Sequence, residues 1–173
     1  LYMDNFINWL KNNDVDLRNI QIIDRENNER GVLSKQKMDA GDFVFLIPKH
    51  LLITDLTADK LEEARMVKSI FQNKHYTEIN IIKIAVFMLY VESFDDIQLD
   101  VDWRPYFDIL PENQEHVPIF WEDELNYLKG SLLLDRITKR IKMIEEEYIK
   151  LKENIPDFEQ FSLYEYKYMR SIV

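Results

Sequence analysis

The spacing of apolar residues changes once along this chain, near Thr57, and that change restricts the fold more than any other feature. Before it, short β-branched and aromatic runs are separated by polar turns. Ile20-Gln21-Ile22-Ile23 reads as a strand, the polar cluster 24–29 as a turn, and Gly31 to Ser34 as the start of a second strand. Asp39-Ala40-Gly41-Asp42 is a further turn, followed by Phe43-Val44-Phe45-Leu46-Ile47, the strongest strand signal in the sequence. Pro48 ends that run, because proline brings no ladder donor, and Leu51-Leu52-Ile53 reads as one more short strand. Ahead of these strands, Phe6, Trp9 and Leu10 share one face of a short helix that Asp4 could cap.

Beyond Thr57 the period becomes helical. Leu61, Ala64, Val67, Ile70 and Phe71 form one stripe, and Ile81, Ile84, Ala85, Met88 and Leu89 another. After a proline-punctuated loop, residues 121–128 read as a short helix with an acidic front, closed by Gly130. Ile137, Ile141, Ile144, Tyr148 and Leu151 mark the longest helix. Ser162-Leu163-Tyr164-Glu165 has the capping-box pattern, in which hydroxyl and carboxylate satisfy each other's orphan amides, so a last helix runs on from it. Strands first and helices after, without alternation, predict an α+β fold: small antiparallel sheets, then an all-α part, with no long strand in 122–173.

The 173 residues suffice for one domain or two small subdomains, and 46% hydrophobic and 13% aromatic content excludes a disordered chain. A formal charge of −10 argues against nucleic acid, whose phosphates require a basic face. An acidic surface suits a basic protein partner, and it also simply keeps a protein soluble. The absence of cysteine excludes disulfides, thiolate metal sites and a thiol nucleophile. No apolar run approaches the length of a membrane span and no secretory signal is visible, so a cytoplasmic or nuclear location is expected. Leu1 at the start and a helix-like segment at Val173 read as the ends of a piece of a longer chain.

Most candidates for chemistry fail on spacing. Ser131 lacks a nucleophile elbow and reads as a helix-boundary serine; three scattered glycines cannot form a phosphate loop. His50, His75 and His116 lack ligand spacing. The aspartates at 95, 96, 100 and 102 lack the turning glycine and bidentate glutamate of a calcium loop. Glu122-Asp123-Glu124 fits a helix N-terminus, where the dipole favours such charges.

Two segments carry more. The first is Glu29-Arg30-Gly31-Val32-Leu33-Ser34, the turn Asp39 to Asp42, and the run ending Leu46-Ile47-Pro48, then Leu51-Leu52-Ile53-Thr54. The second is Trp103-Arg104-Pro105-Tyr106-Phe107-Asp108-Ile109-Leu110-Pro111, followed by Pro118, Trp121, Glu124-Leu125, Leu128, and later Phe161-Ser162-Leu163-Tyr164-Glu165 with Tyr168. In order and spacing these resemble SET-domain protein methyltransferases of the Rubisco large-subunit methyltransferase and actin-histidine methyltransferase type. Those enzymes open with a G-x-G strand and carry W-x-P-Y-x-x-x-L-P in a helical insertion that splits the SET domain. The motif's aromatic residues, Trp103 and Tyr106 with Pro105 and Leu110, are expected to be substantially buried, packed against the helices near Ile81 and Ile137.

The resemblance implies that residues 1–56 are the first helix and first β part of a SET domain and 57–173 mainly its helical insertion, with the catalytic part and a C-terminal domain downstream. It implies S-adenosylmethionine as cofactor, a lysine-bearing or basic protein substrate, and a fragment inactive alone, since the family's Asn-His pair and tyrosine lie beyond Val173. Asn28, Glu29, Arg30 and Gly31 match the cofactor-binding strand, partly through backbone groups. Two positions depart from the family. Glu29 replaces the first glycine, and Asn28 stands where a glutamate is common, offering only a neutral acceptor to an ammonium. A hairpin turn without ligand explains Asn27-Asn28-Glu29 equally well. Histidine methylation, or a non-catalytic helical interaction module, are the alternative readings.

Overall fold

The computed structural model describes residues 2–24 and 30–173, with the backbone alone for Asp24. The chain forms two units, one from Leu1–Leu52 with Gln98–Leu110, the other from Ile53–Ile97 with Pro111–Val173. It is an α+β fold in which the described strands form one small antiparallel sheet.

In the first unit, helix α1 spans Tyr2–Asn12, so Asp4 is its third residue and lies in the first turn rather than at the capping position expected for it. Phe6 and Trp9 stack along it at 5.8 Å, and Leu10 is buried. Strands β1 (Ile20–Asp24) and β2 (Arg30–Ser34) pair in register, Ile20 opposite Ser34 and Asp24 opposite Arg30. The remainder of the turn expected after Asp24 lies outside the described residues.

Residues 43–47 are not a strand. Their only ladder contact among the described residues is an isolated bridge from Leu46 to Asp16, closed by backbone hydrogen bonds of 3.0 and 3.2 Å. Phe43, Val44, Phe45, Leu46 and Ile47 are all exposed, Phe43 by 67%. β-propensity describes fit to a pleated, half-buried surface, and a single bridging residue provides no such surface. Nor do Leu51, Leu52 and Ile53 form a strand: Lys49–Leu51 is a turn of 3-10 helix that buries Leu51. Periodicity cannot separate the two conformations in so short an apolar run.

The Trp-Pro-Tyr segment opens a four-residue helix, α5 (Arg104–Phe107). Trp103 is 2% exposed and its indole N–H donates to the Leu51 carbonyl at 3.2 Å, which accounts for the helical turn there. Phe107 is buried, Pro105, Tyr106 and Leu110 half-buried, and α5 packs on α1.

The second unit is helical: α2 (Asp55–Ala58), α3 (Glu62–Ile70), α4 (Tyr76–Ser93), α6 (Leu132–Asn154) and α7 (Leu163–Ile172). Thr54, Ser131 and Ser162 cap α2, α6 and α7 with their hydroxyls, and Glu165 completes the capping box. The expected helix at 121–128 is a 3-10 helix, Asp123–Leu128, and Gly130 follows it with φ of 85°, a conformation that glycine adopts without strain. Helix α4 is buried well beyond the single stripe read from its sequence, because α2, α3 and α7 all pack on it. Even Lys83 is enclosed there, its ammonium 2.6 Å from Asp59. No described helix is long and apolar enough to cross a membrane.

One polar cluster lies inside this unit. Glu147 on α6 is fully buried and accepts from Arg170 Nε at 2.9 Å and Tyr166 Oη at 3.1 Å, with Lys74 Nζ at 3.5 Å. Burial works against the charge on Arg170, yet its hydrogen bond to Glu147 keeps the guanidinium protonated above its ordinary range. Burial first, and then the Glu147 charge, raise the Tyr166 phenol well above its ordinary range. A raised pKa in the folded state favours folding below the unfolded value, and that contribution is lost as pH rises past it. Thermal stability is therefore expected to fall from about pH 10 upward. Tyr166→Phe should flatten that slope in melting curves followed by circular dichroism, and an unchanged slope would assign the alkaline loss to other groups.

Candidate functional site

The residues singled out as a binding strand fall at the start of β2. Arg30 and Gly31 are its first two residues, opposite Asp24 and Ile23, whereas Asn28 and Glu29 lie outside the described residues. Among the described strands β2 pairs only with β1, so its other edge presents alternate backbone N–H and C=O groups that no strand covers.

The side chain of Arg30 is committed within its own unit: Nη1 donates to the carbonyl of Ile109, inside the W-x-P-Y-x-x-x-L-P segment. The two segments that stood out in the sequence are thus joined directly. A further chain of polar contacts fixes the hairpin base. Gln36 Nε2 donates to Asn19 Oδ1 at 2.9 Å, and Asn19 Nδ2 donates to the Phe43 carbonyl at 2.7 Å. Asp39 N–H donates to Asp42 Oδ2 at 2.8 Å across the turn, where Gly41 takes a left-handed φ of 101°. Asp102 and Arg104 pair at 2.8 Å, and this hydrogen bond holds the Asp102 carboxyl below its usual range. Neither the Ile109 acceptor nor the Asn19 relay was signalled in the sequence, since a backbone carbonyl carries no residue-type signature.

Gly31 is required neither by conformation nor by packing. Its φ lies outside the left-handed region, and a Cβ there would meet only Ile23 Cγ1 and Cδ1 at 3.5 and 3.6 Å, an ordinary contact. What β2 can do is bind. It carries no carboxylate or imidazole that could act as a general base.

No protein-family model matches the chain. Over 154 residues it is 29% identical to ribosomal lysine N-methyltransferase 4 of Saccharomyces cerevisiae, a match covering 85% of this chain and 30% of that protein. It is 26% identical over 151 residues to the N-lysine methyltransferase setd6 of Xenopus tropicalis, covering 83% of this chain and 31% of that one. Rubisco LSMT bound to sinefungin and monomethyllysine superposes with a TM-score of 0.79 at 23% identity, over 99% of this chain and 39% of its own. The fold is theirs. The SET domain of LSMT bound to lysine and AdoHcy gives the same score and coverage. The chain thus spans under a third of the length of these curated relatives, which are lysine methyltransferases by name.

Proposed function

We propose that this chain is part of an S-adenosylmethionine-dependent protein-lysine N-methyltransferase. In that reading the hairpin forms one wall of the cofactor site, and the helical residues within 57–173 form an insertion subdomain of a split SET domain. The observation that carries it is the alignment of 85% of the chain with a lysine methyltransferase whose class shares this fold. Gly31 supports it from the physical side. A glycine that neither φ nor neighbouring atoms demand suits a strand that another molecule approaches closely. The bound cofactor supplies an electrophilic methyl group. This chain's own residues hold and orient: in this reading Asn28, Glu29, Arg30 and Gly31 contact the cofactor, and the bond from Arg30 to Ile109 fixes where β2 lies. Transfer to an amine depends on in-line positioning and exclusion of water, to which a rigid wall contributes. The substrate in this reading is a lysine-bearing protein, met in the cytoplasm or nucleus.

Calorimetric titration of S-adenosylmethionine into the full-length protein tests the wall. Gly31→Ala is expected to leave the melting temperature unchanged or slightly raised, because alanine at a compatible φ narrows the unfolded ensemble by about 0.4–1 kcal/mol. The same change should weaken cofactor binding about tenfold or more, a cost of about 1.4 kcal/mol. Wild-type affinity in the variant would remove β2 from the cofactor site. Absence of methyl transfer to protein lysines by the full-length protein would remove the enzyme reading itself.

A further inference from the structure

Residues 112–124 carry Glu112, Glu115, Glu122, Asp123 and Glu124 and neither lysine nor arginine. A run of like charges is ordinarily a solvated face, and alone it defines no site. Here part of it shares a concavity with aromatic rings. Within the helical unit a cavity of about 440 Å³ is lined by Phe120, Trp121 and Tyr164, with Glu115, Glu122 and Glu124 also on its wall. That volume lies in the range of about 300–1,000 Å³ usual for sites that take a small molecule or a side chain. Phe120 and Trp121 are half-buried, and Tyr164, in the first turn of α7, is 52% exposed. The rings are therefore open to solvent on the cavity side.

These rings are also held in place. The indole N–H of Trp121 donates to the Glu115 carbonyl at 2.8 Å, which ties the loop 115–121 back on itself. Phe120 ends the 3-10 turn Pro118–Phe120, and its ring meets that of Tyr164 at 5.4 Å, tilted by 58°. That contact clasps the loop to α7. The N–H of Glu122 donates to Glu124 Oε2 at 3.2 Å. None of the three lining carboxylates forms an ion pair among the described residues.

One cation already lies in this setting and shows what it accepts. Lys167, one turn beyond Tyr164 on α7, lines the cavity and holds its ammonium 5.4 Å from the Phe120 ring centroid, over the ring. Three carboxylates against one ammonium leave the cavity negative. The faces of Trp121 and Tyr164 carry no cation of the chain among the described residues.

We propose that this cavity binds an arginine side chain carried by a basic segment of a partner protein. A guanidinium is planar and donates from its edge, so it lies on an aromatic face while its N–H groups reach carboxylates beside the ring. Trp121 and Tyr164 supply the faces, and Glu115, Glu122 and Glu124 supply the acceptors. An ammonium is a compact, strongly hydrated charge that cannot lie flat on a ring, and the ring that suits it best is taken by Lys167. The formal charge of −10 favours approach of a basic segment. The inference stands on the helical unit alone and does not depend on the methyltransferase reading.

The test is titration of the full chain with a short capped arginine-glycine peptide, its lysine counterpart and its citrulline counterpart, which keeps the shape of arginine without the charge. Binding is followed by NMR of the Trp121 indole N–H and the Phe120 and Tyr164 rings. The arginine peptide is expected to shift these signals and the citrulline peptide to leave them unmoved. The lysine peptide should bind about threefold more weakly or worse. Tyr164→Leu should weaken arginine binding about two- to fivefold, the range of an exposed contact between ring and cation, with little change in melting temperature. Glu122→Gln combined with Glu124→Gln should weaken it about threefold or more. Lys167→Gln should do the opposite and strengthen it about threefold, because a like charge leaves the cavity. A ring cluster with only a structural role would give no such gain. A lysine peptide that binds as tightly, a citrulline peptide that shifts the same signals, or no shift at Trp121 with the arginine peptide would overturn the proposal. So would weaker arginine binding by a Lys167→Gln variant that melts normally.

Discussion

Replacing Trp103 with alanine is expected to lower stability by about 3–5 kcal/mol, the cost usual for emptying a large aromatic site in a core. The ring is 2% exposed, and its N–H satisfies the Leu51 carbonyl across the 3-10 turn. Trp103→Phe should cost less. It retains most of the packing but leaves that buried carbonyl short of a donor, a loss of about 1–3 kcal/mol. Denaturant titration of both variants checks the order, and a loss below about 1 kcal/mol for the alanine variant would show that the ring anchors nothing.

The second large effect lies at Glu147. Substitution by alanine leaves Arg170 charged, enclosed and without its carboxylate, and breaking a buried pair from one side typically costs about 3–5 kcal/mol. Removing both charges is a different experiment. Glu147→Met with Arg170→Met replaces the pair by apolar groups of similar length, and should recover much of the loss, because two desolvation penalties disappear with the attraction. A double variant as unstable as Glu147→Ala would mean that Lys74 and Tyr166, which also reach Glu147, hold the cluster together instead.

The hairpin was legible because Ile20 to Ile23 and Gly31 to Ser34 are short, β-branched or glycine-led and separated by polar residues, and the helices because caps such as Ser131 and Ser162 are local chemistry. Residues 43–47 misled for the opposite reason. Their composition asks for a ladder, and whether a partner strand exists is a tertiary fact. Glu147 was invisible on similar grounds: it is the last of three consecutive glutamates, and nothing local distinguishes the enclosed one from the two beside it. Arg30 and Gly31 were singled out by motif, whereas nothing in the sequence signals the carbonyl of Ile109 that receives Arg30.

The alternation of the two units along the chain has a consequence for biosynthesis. A ribosome delivers Leu51 well before Trp103, with the whole of 53–97 between them, so the first unit cannot close when its own strands emerge. At about 5–20 residues per second that interval lasts seconds, long compared with the microseconds in which a hairpin forms. Throughout it the uncharged run 43–47, which stays exposed in the folded unit as well, is joined to an open unit, and it is a segment of the kind that pairs with its own copies on neighbouring nascent chains. Output of correctly folded protein then depends on how fast translation passes Trp103 and on whether a holdase covers that run meanwhile. Slow codons between 53 and 97 would be a hazard for this chain.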